Sequence, residues 1–153
     1  MSKRSKNETS PSSGQVILYG LAAFFCLFGL ADATYLTVLA LTGETAACGG
    51  QLGCQEVLGS AYARVAGIPV AGFGIAGYFT AFTFAIFAAF GYGRARNFFA
   101  LIVGILFAAT LWLLYVQAFV LHAFCRFCLF SAAICFLLMG LVVASPSPRA
   151  VKH

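Results

Sequence analysis

Apolar residues along this chain run together instead of alternating with polar ones. Four stretches are almost unbroken in their hydrophobicity: Val16 to Leu41, Ala71 to Phe90, Phe98 to Leu121, and about Phe127 to Ala144. Each reaches or approaches the roughly 20 residues that a helix needs to cross a ~30 Å hydrocarbon core. Residues 1–14, rich in Ser, Lys, Asn and Pro, read as a disordered tail, and residues 145–153 read as a second tail opening on Ser145-Pro146-Ser147-Pro148. Residues 15–144 between them form one four-span domain without internal repeats, whose longest polar interruption is the loop 42–70. In that loop, Glu56 to Tyr62 has the pattern of a short amphipathic helix ending before Gly67. The predicted fold class is therefore all-α, an integral membrane four-helix bundle.

Composition leads to the same class. The chain is 62% hydrophobic and 8% charged, whereas soluble domains are about 45–50% apolar and about 25% charged. So apolar a chain of 153 residues cannot be hidden in one small core. Seven of the nine Lys and Arg residues (Lys3, Arg4, Lys6, Arg94, Arg96, Arg149 and Lys152) fall on one side of the four spans, leaving Arg64 and Arg126 on the other. Under the positive-inside rule both termini are cytoplasmic and the loop 42–70 faces outward. This bias accounts for the net charge of +5 without nucleic acid, and no Lys/Arg cluster interleaved with aromatics is present. The first span, about 26 residues long, exceeds the 7–15 residues of a signal-peptide core and reads as a mature helix.

The candidate chemistry lies in cysteines. Cys48 and Cys54 flank Gly49-Gly50 and Gly53 in the outward loop, and Cys125-Arg126-Phe127-Cys128 opens the last apolar stretch. Both pairs sit where a hydrophobic run meets polar sequence on the outward side, the oxidising side of a bacterial inner membrane, where disulfides persist. On a helix, Cys125 and Cys128 share a face at i and i+3, and a place in the first turn lowers a thiol pKa. Glycines free the backbone around the loop pair, so that one pair is suited to shuttling and the other to staying in place. Three readings stay open on spacing alone: a disulfide relay, two structural disulfides in a non-enzymatic scaffold, or four thiolates around zinc. The Cys-x5-Cys spacing lies outside the x2–4 usual for zinc.

Gly29-Leu30-Ala31 with Tyr35, Cys48-x5-Cys54, Val57, Ser60-Ala61-Tyr62, Gly67-Ile68-Pro69-Val70 and Cys125-x2-Cys128 together resemble the vitamin K epoxide reductase family, in its bacterial branch. The resemblance implies a four-helix bundle around a quinone pocket. It also implies oxidation of a secreted, DsbA-type thioredoxin-fold protein, with electrons delivered to a membrane quinone (menaquinone or ubiquinone). By the same carry-over Cys48 would meet the partner, Cys54 would bridge to Cys125, Cys128 would stand beside the quinone ring, and Ser60 would lie near the quinone pocket. Ser131-Ala132-Ala133 stands where animal members have Thr-Tyr-Ala, which points away from vitamin K epoxide reduction and leaves a vitamin K epoxide/quinone reductase proper as the alternative reading. With no thioredoxin-like sequence after the fourth span, the partner is expected in trans. A second quinone-linked disulfide oxidase, the DsbB type, carries its Cys-x-x-Cys in the first outward loop, the reverse of the order here.

Other polar or reactive positions have plainer readings beside functional ones. Cys26 and Cys135, inside spans, are expected to be packing residues. Asp32 is the only acidic residue within a span, and it is either a functional carboxyl or a structural one near the outer interface. His122 is a solvated residue or a proton relay. Phe73, Phe107, Leu111, Trp112 and Tyr115 would suit a quinone pocket but read equally as lipid-facing aromatics.

Overall fold

The computed structural model describes residues 12–42, 56–57 and 59–145. Helix α1 runs Ser13–Thr42. Its first turn is capped by Ser12, whose carbonyl and hydroxyl both accept from the Gln15 N–H, at 2.9 and 3.4 Å. Helix α2, Val70–Ala89, starts directly after Pro69, where a missing N–H costs nothing. Helix α3, Gly93–Tyr115, continues without a break into a π-helical turn, Val116–Val120, and helix α4 spans Arg126–Ala144. All four are long and apolar enough to cross a membrane.

The third helix begins five residues before the apolar run, because Gly93 to Asn97 keep helical geometry beyond the hydrocarbon. Arg96 reaches back there to donate from Nε to the Tyr19 hydroxyl at 3.2 Å, burying its stem while its charge stays near the interface.

The loop before α2 differs in detail from the short helix expected. Glu56, Val57 and Gly59 are helical, but the chain bends at Ser60 and tightens into a 3₁₀ turn at Ala61–Ala63. It then forms a hairpin of two-residue strands, β1 (Arg64–Val65) and β2 (Ile68–Pro69), in register Arg64 with Pro69 and Val65 with Ile68. Ala66 and Gly67 both have left-handed backbones, at φ 53° and 83°, the geometry of a type I′ turn. Arg64 donates from Nη2 to the Ala40 carbonyl at 3.0 Å, which pins the hairpin to the end of α1.

Each helix packs on two neighbours in the cyclic order α1, α2, α3, α4, with the α1–α2 contact the most extensive. Small residues make that contact: Ala22, Ala23, Cys26, Gly29 and Ala33 on α1, and Ala81, Ala85 and Ala88 on α2. Water expels nothing inside a bilayer, so helices associate by close backbone approach, which small side chains permit. The tightest approach is at Gly29, where an added Cβ would collide with the Tyr78 ring. Large apolar side chains such as Phe24, Phe79, Leu101 and Phe136 point outward instead, as lipid contact requires.

Candidate redox site

The site forms at the end of the bundle where the loop before α2 returns. Val57, Leu36, Leu39, Ala123 and Cys125 are buried in one cluster, with Phe127 and Cys128 packed against it. Tyr35 stacks a tilted ring on Phe127 at 5.0 Å, so α1 and the start of α4 close over the cysteines.

Cys125 occupies the N-cap position of α4 in extended conformation, and Cys128 follows in the first helical turn. The Cys125 side chain is fully buried, and the Cys128 thiol donates a hydrogen bond to its sulfur. That donation lowers the Cys125 pKa to about 7, against the opposing effect of burial, and the N–H groups of Cys128 and Phe127 at the helix start add to it. Asp32 lies close enough to oppose the shift with its own charge.

The connector into Cys125 is held by one side chain. Gln117, on the π-helical turn and only 2% exposed, accepts from the Cys125 N–H through Oε1 at 3.0 Å. Its backbone carbonyl accepts from Ala123 N–H at 3.1 Å. Just before those two anchors His122 is exposed and left-handed, at φ 50°.

Beside the cysteines lies a cavity of about 350 Å³, walled by all four helices and the returning loop. Its lining is almost wholly apolar, with Leu36, Val57, Phe73, Ile102 and Leu106 among the walls, and among the described residues the polar side chains that line it are those of Tyr78, Thr110, Gln117, Cys128 and Ser131. An apolar pocket of this size with a few polar groups is the kind that holds a small, largely apolar ligand. On its floor the Tyr78 hydroxyl is bonded to Ser131 Oγ at 2.9 Å and Cys135 Sγ at 3.1 Å.

The candidates read from the sequence sort differently against this geometry. Cys125 and Cys128 come together, and Cys128 faces the cavity. Cys48 and Cys54 lie outside the described residues. Ser60 donates its hydroxyl to the Val57 carbonyl at 2.8 Å, and it is Val57 and Ala63 on either side of it that line the cavity. Cys26 is buried among the small residues of the core, while Cys135 joins the Tyr78 network under the cavity. Of the five apolar pocket candidates, Phe73 lines the wall; Phe107 packs edge-on against Phe136 at 5.0 Å, and Leu111, Trp112 and Tyr115 are exposed. Asp32 is 7% exposed, and its Oδ2 has no hydrogen-bond partner among the described residues.

The model of the vitamin K epoxide reductase family matches residues 21–143, from early α1 to the last turn of α4. The chain belongs to that family. It is thus a multi-pass membrane protein of a redox family whose members are oxidoreductases, and the match takes in both cysteine pairs and every wall of the cavity. No curated protein matches it. Gln117, like Tyr78, is a residue of this family member's site that sequence reasoning missed. A single amide in an apolar run was its only signal, and its meaning depends on the π turn that aims it.

Proposed function

We propose that this protein oxidises a secreted, DsbA-type thioredoxin-fold protein and passes the electrons through Cys48/Cys54 and Cys125/Cys128 to a membrane quinone, supporting disulfide bond formation. One observation carries the reading: Cys128 lines an apolar cavity while its partner Cys125 shares a buried cluster with Val57. Only Gln55 and Glu56 separate Val57 from Cys54, a reach of at most about 11 Å. A cysteine on the loop thus has a short path to Cys125.

In the proposed sequence a partner thiolate attacks the Cys48–Cys54 disulfide, Cys54 leaves as thiolate, and the second partner thiol resolves the mixed bond to release oxidised partner. Cys54 then attacks Cys125 in the Cys125–Cys128 disulfide, and Cys128 leaves. Cys48 next attacks Cys54, restoring the loop disulfide and expelling Cys125, whose low pKa makes it a good leaving group. The pair is now a dithiol holding two electrons. A bound quinone supplies the terminal acceptor, taking up two electrons and two protons and leaving as hydroquinone. Cys128 is the sulfur that hands electrons to the cavity, and the Cys125–Cys128 disulfide re-forms as it does so. The walls keep water away, and Gln117, Tyr78 and Ser131 offer the polar atoms that orient a ring oxygen.

The reading places the chain in a bacterial inner membrane with both termini cytoplasmic, supported by the Lys and Arg asymmetry. Labelling a cysteine introduced at Gly50 from outside the cell, and one at Gly93 only from inside, checks that orientation. The relay is tested by removing both resolving thiols. In Cys48→Ala with Cys128→Ala, Cys54 and Cys125 should accumulate as a disulfide seen by mass spectrometry of the membrane-extracted protein. A bridge joining the loop only to Cys26 or Cys135 would sink the assignment.

A further inference from the structure

Gln117 stands between the two halves of the site. Cys125 N–H can only donate, so the amide end facing it must be the oxygen, and Nε2 with its two N–H bonds is the other end. No hydrogen bond runs from Nε2 to another described residue. A primary amide buried this deeply is costly unless both ends are served, and the space Gln117 borders is the cavity. The backbone around it supports a built function. The π-helical turn Val116–Val120, which ends the third helix, closes through Leu121 N–H to the Val116 carbonyl at 2.9 Å and sets the direction in which the connector leaves. Gln117 then holds the connector twice, through its main-chain carbonyl at Ala123 and its side-chain carbonyl at Cys125.

We propose that Gln117 couples the cavity to the cysteine pair, its Oε1 positioning Cys125 and its Nε2 donating a hydrogen bond to a ring oxygen of the quinone. This rests on the reading of the cavity as the quinone site. Occupancy of the cavity and the placement of Cys125 are then joined through one rigid amide, so that a bound ring steadies the connector and an empty cavity loosens it.

Two readouts that need no turnover test this, on the full chain in lipid nanodiscs. The first is equilibrium binding of oxidised 2-methyl-1,4-naphthoquinone to protein held in its disulfide form. The second is the alkylation rate of Cys125 in the reduced protein at pH 9, above its titration. Gln117→Met, which removes both ends of the amide at similar volume, should weaken binding roughly 5–10-fold, one lost hydrogen bond, and speed alkylation several-fold. Gln117→Glu keeps the acceptor for Cys125, so its alkylation rate should stay near wild type. Its quinone binding should be weak at pH 8 and recover towards acid pH, where the carboxyl regains a proton to donate. Should Gln117→Met fail to fold, Gln117→Glu alone decides: pH-independent binding equal to wild type overturns the proposal. Wild type that binds no naphthoquinone defeats the quinone reading itself, whereas wild-type binding left unchanged in a folded Gln117→Met defeats only the role of Gln117.

Discussion

The two ends of the bundle are built on opposite packing rules. Around Ala22, Cys26, Ala85 and Ala88, small buried side chains let α1 and α2 pack closely; around Leu36, Phe73, Leu106 and Gln117, larger side chains line a cavity of about 350 Å³. The halves meet at Tyr78. Its ring lies on Gly29 in the dry half, and its hydroxyl reaches Ser131 and Cys135 beneath the cavity. The comparison teaches that a redox cavity in lipid is a local failure of close packing, supported by unusually tight packing next to it. The polar atoms left in the open half are then few, and each is placed for a purpose.

The largest expected effect breaks the open half. Cys128→Ser should abolish quinone reduction in an anaerobic assay with a thioredoxin-fold donor, because a hydroxyl cannot take part in disulfide exchange. The loop pair stays intact in that variant and should still exchange with a partner disulfide. Near-normal quinone turnover would require another group to contact the acceptor, and the relay would have to be abandoned.

The dry half should break differently. Gly29→Val drives two methyl groups into the Tyr78 ring and should cost roughly 1–3 kcal/mol, read as a fall in thermal stability in detergent. The displaced Tyr78 also narrows the cavity, so quinone binding should weaken in the surviving folded fraction. Gly104→Ala is the matched control, since nothing lies within 4 Å of its added Cβ; it should change stability by no more than about 0.5 kcal/mol. Equal losses in both variants would show that the tight approach at Gly29 is not what holds this half together.

The smallest effect sharpens the electrostatics of the open half. Only the thiolate alkylates, and the Cys125 pKa is lowered, so its alkylation rate should rise with pH through a midpoint near 7 and level off above about 8. Cys128→Ala removes the donated hydrogen bond, the largest cause of the shift, and should move the midpoint upward. A midpoint unchanged by that substitution would assign the low pKa to the helix start alone.

Much of this was legible because the bilayer imposes one-dimensional rules. Hydrocarbon thickness sets how long an apolar run must be, so the four spans could be read from Val16, Ala71, Phe98 and Phe127 onward, and the helices cover all four runs. The i, i+3 spacing of Cys125 and Cys128 places them on one face of any helix that starts there, whatever surrounds it. The hairpin at Arg64–Pro69 was less legible, because Ala66 in a left-handed turn violates the residue preference that would have announced it.

The cavity walls could not be read at all. In a soluble bundle a buried face is apolar and an exposed face polar, but in a membrane both are apolar, so Leu106 on the wall and Leu101 facing outward look the same in sequence. For the same reason only Phe73 of the five aromatic and apolar candidates came to line the pocket. Sequence by itself therefore determined how many times the chain crosses the bilayer and which thiols sit together at the head of the last helix. Only the tertiary structure decided which apolar side chains enclose space, that Gln117 turns its amide onto Cys125, and that Asp32 is buried with an oxygen that has no hydrogen-bond partner among the described residues. Those outcomes depend on the rotation of each helix about its axis and on one π-helical turn, and side-chain contacts across the bundle set both.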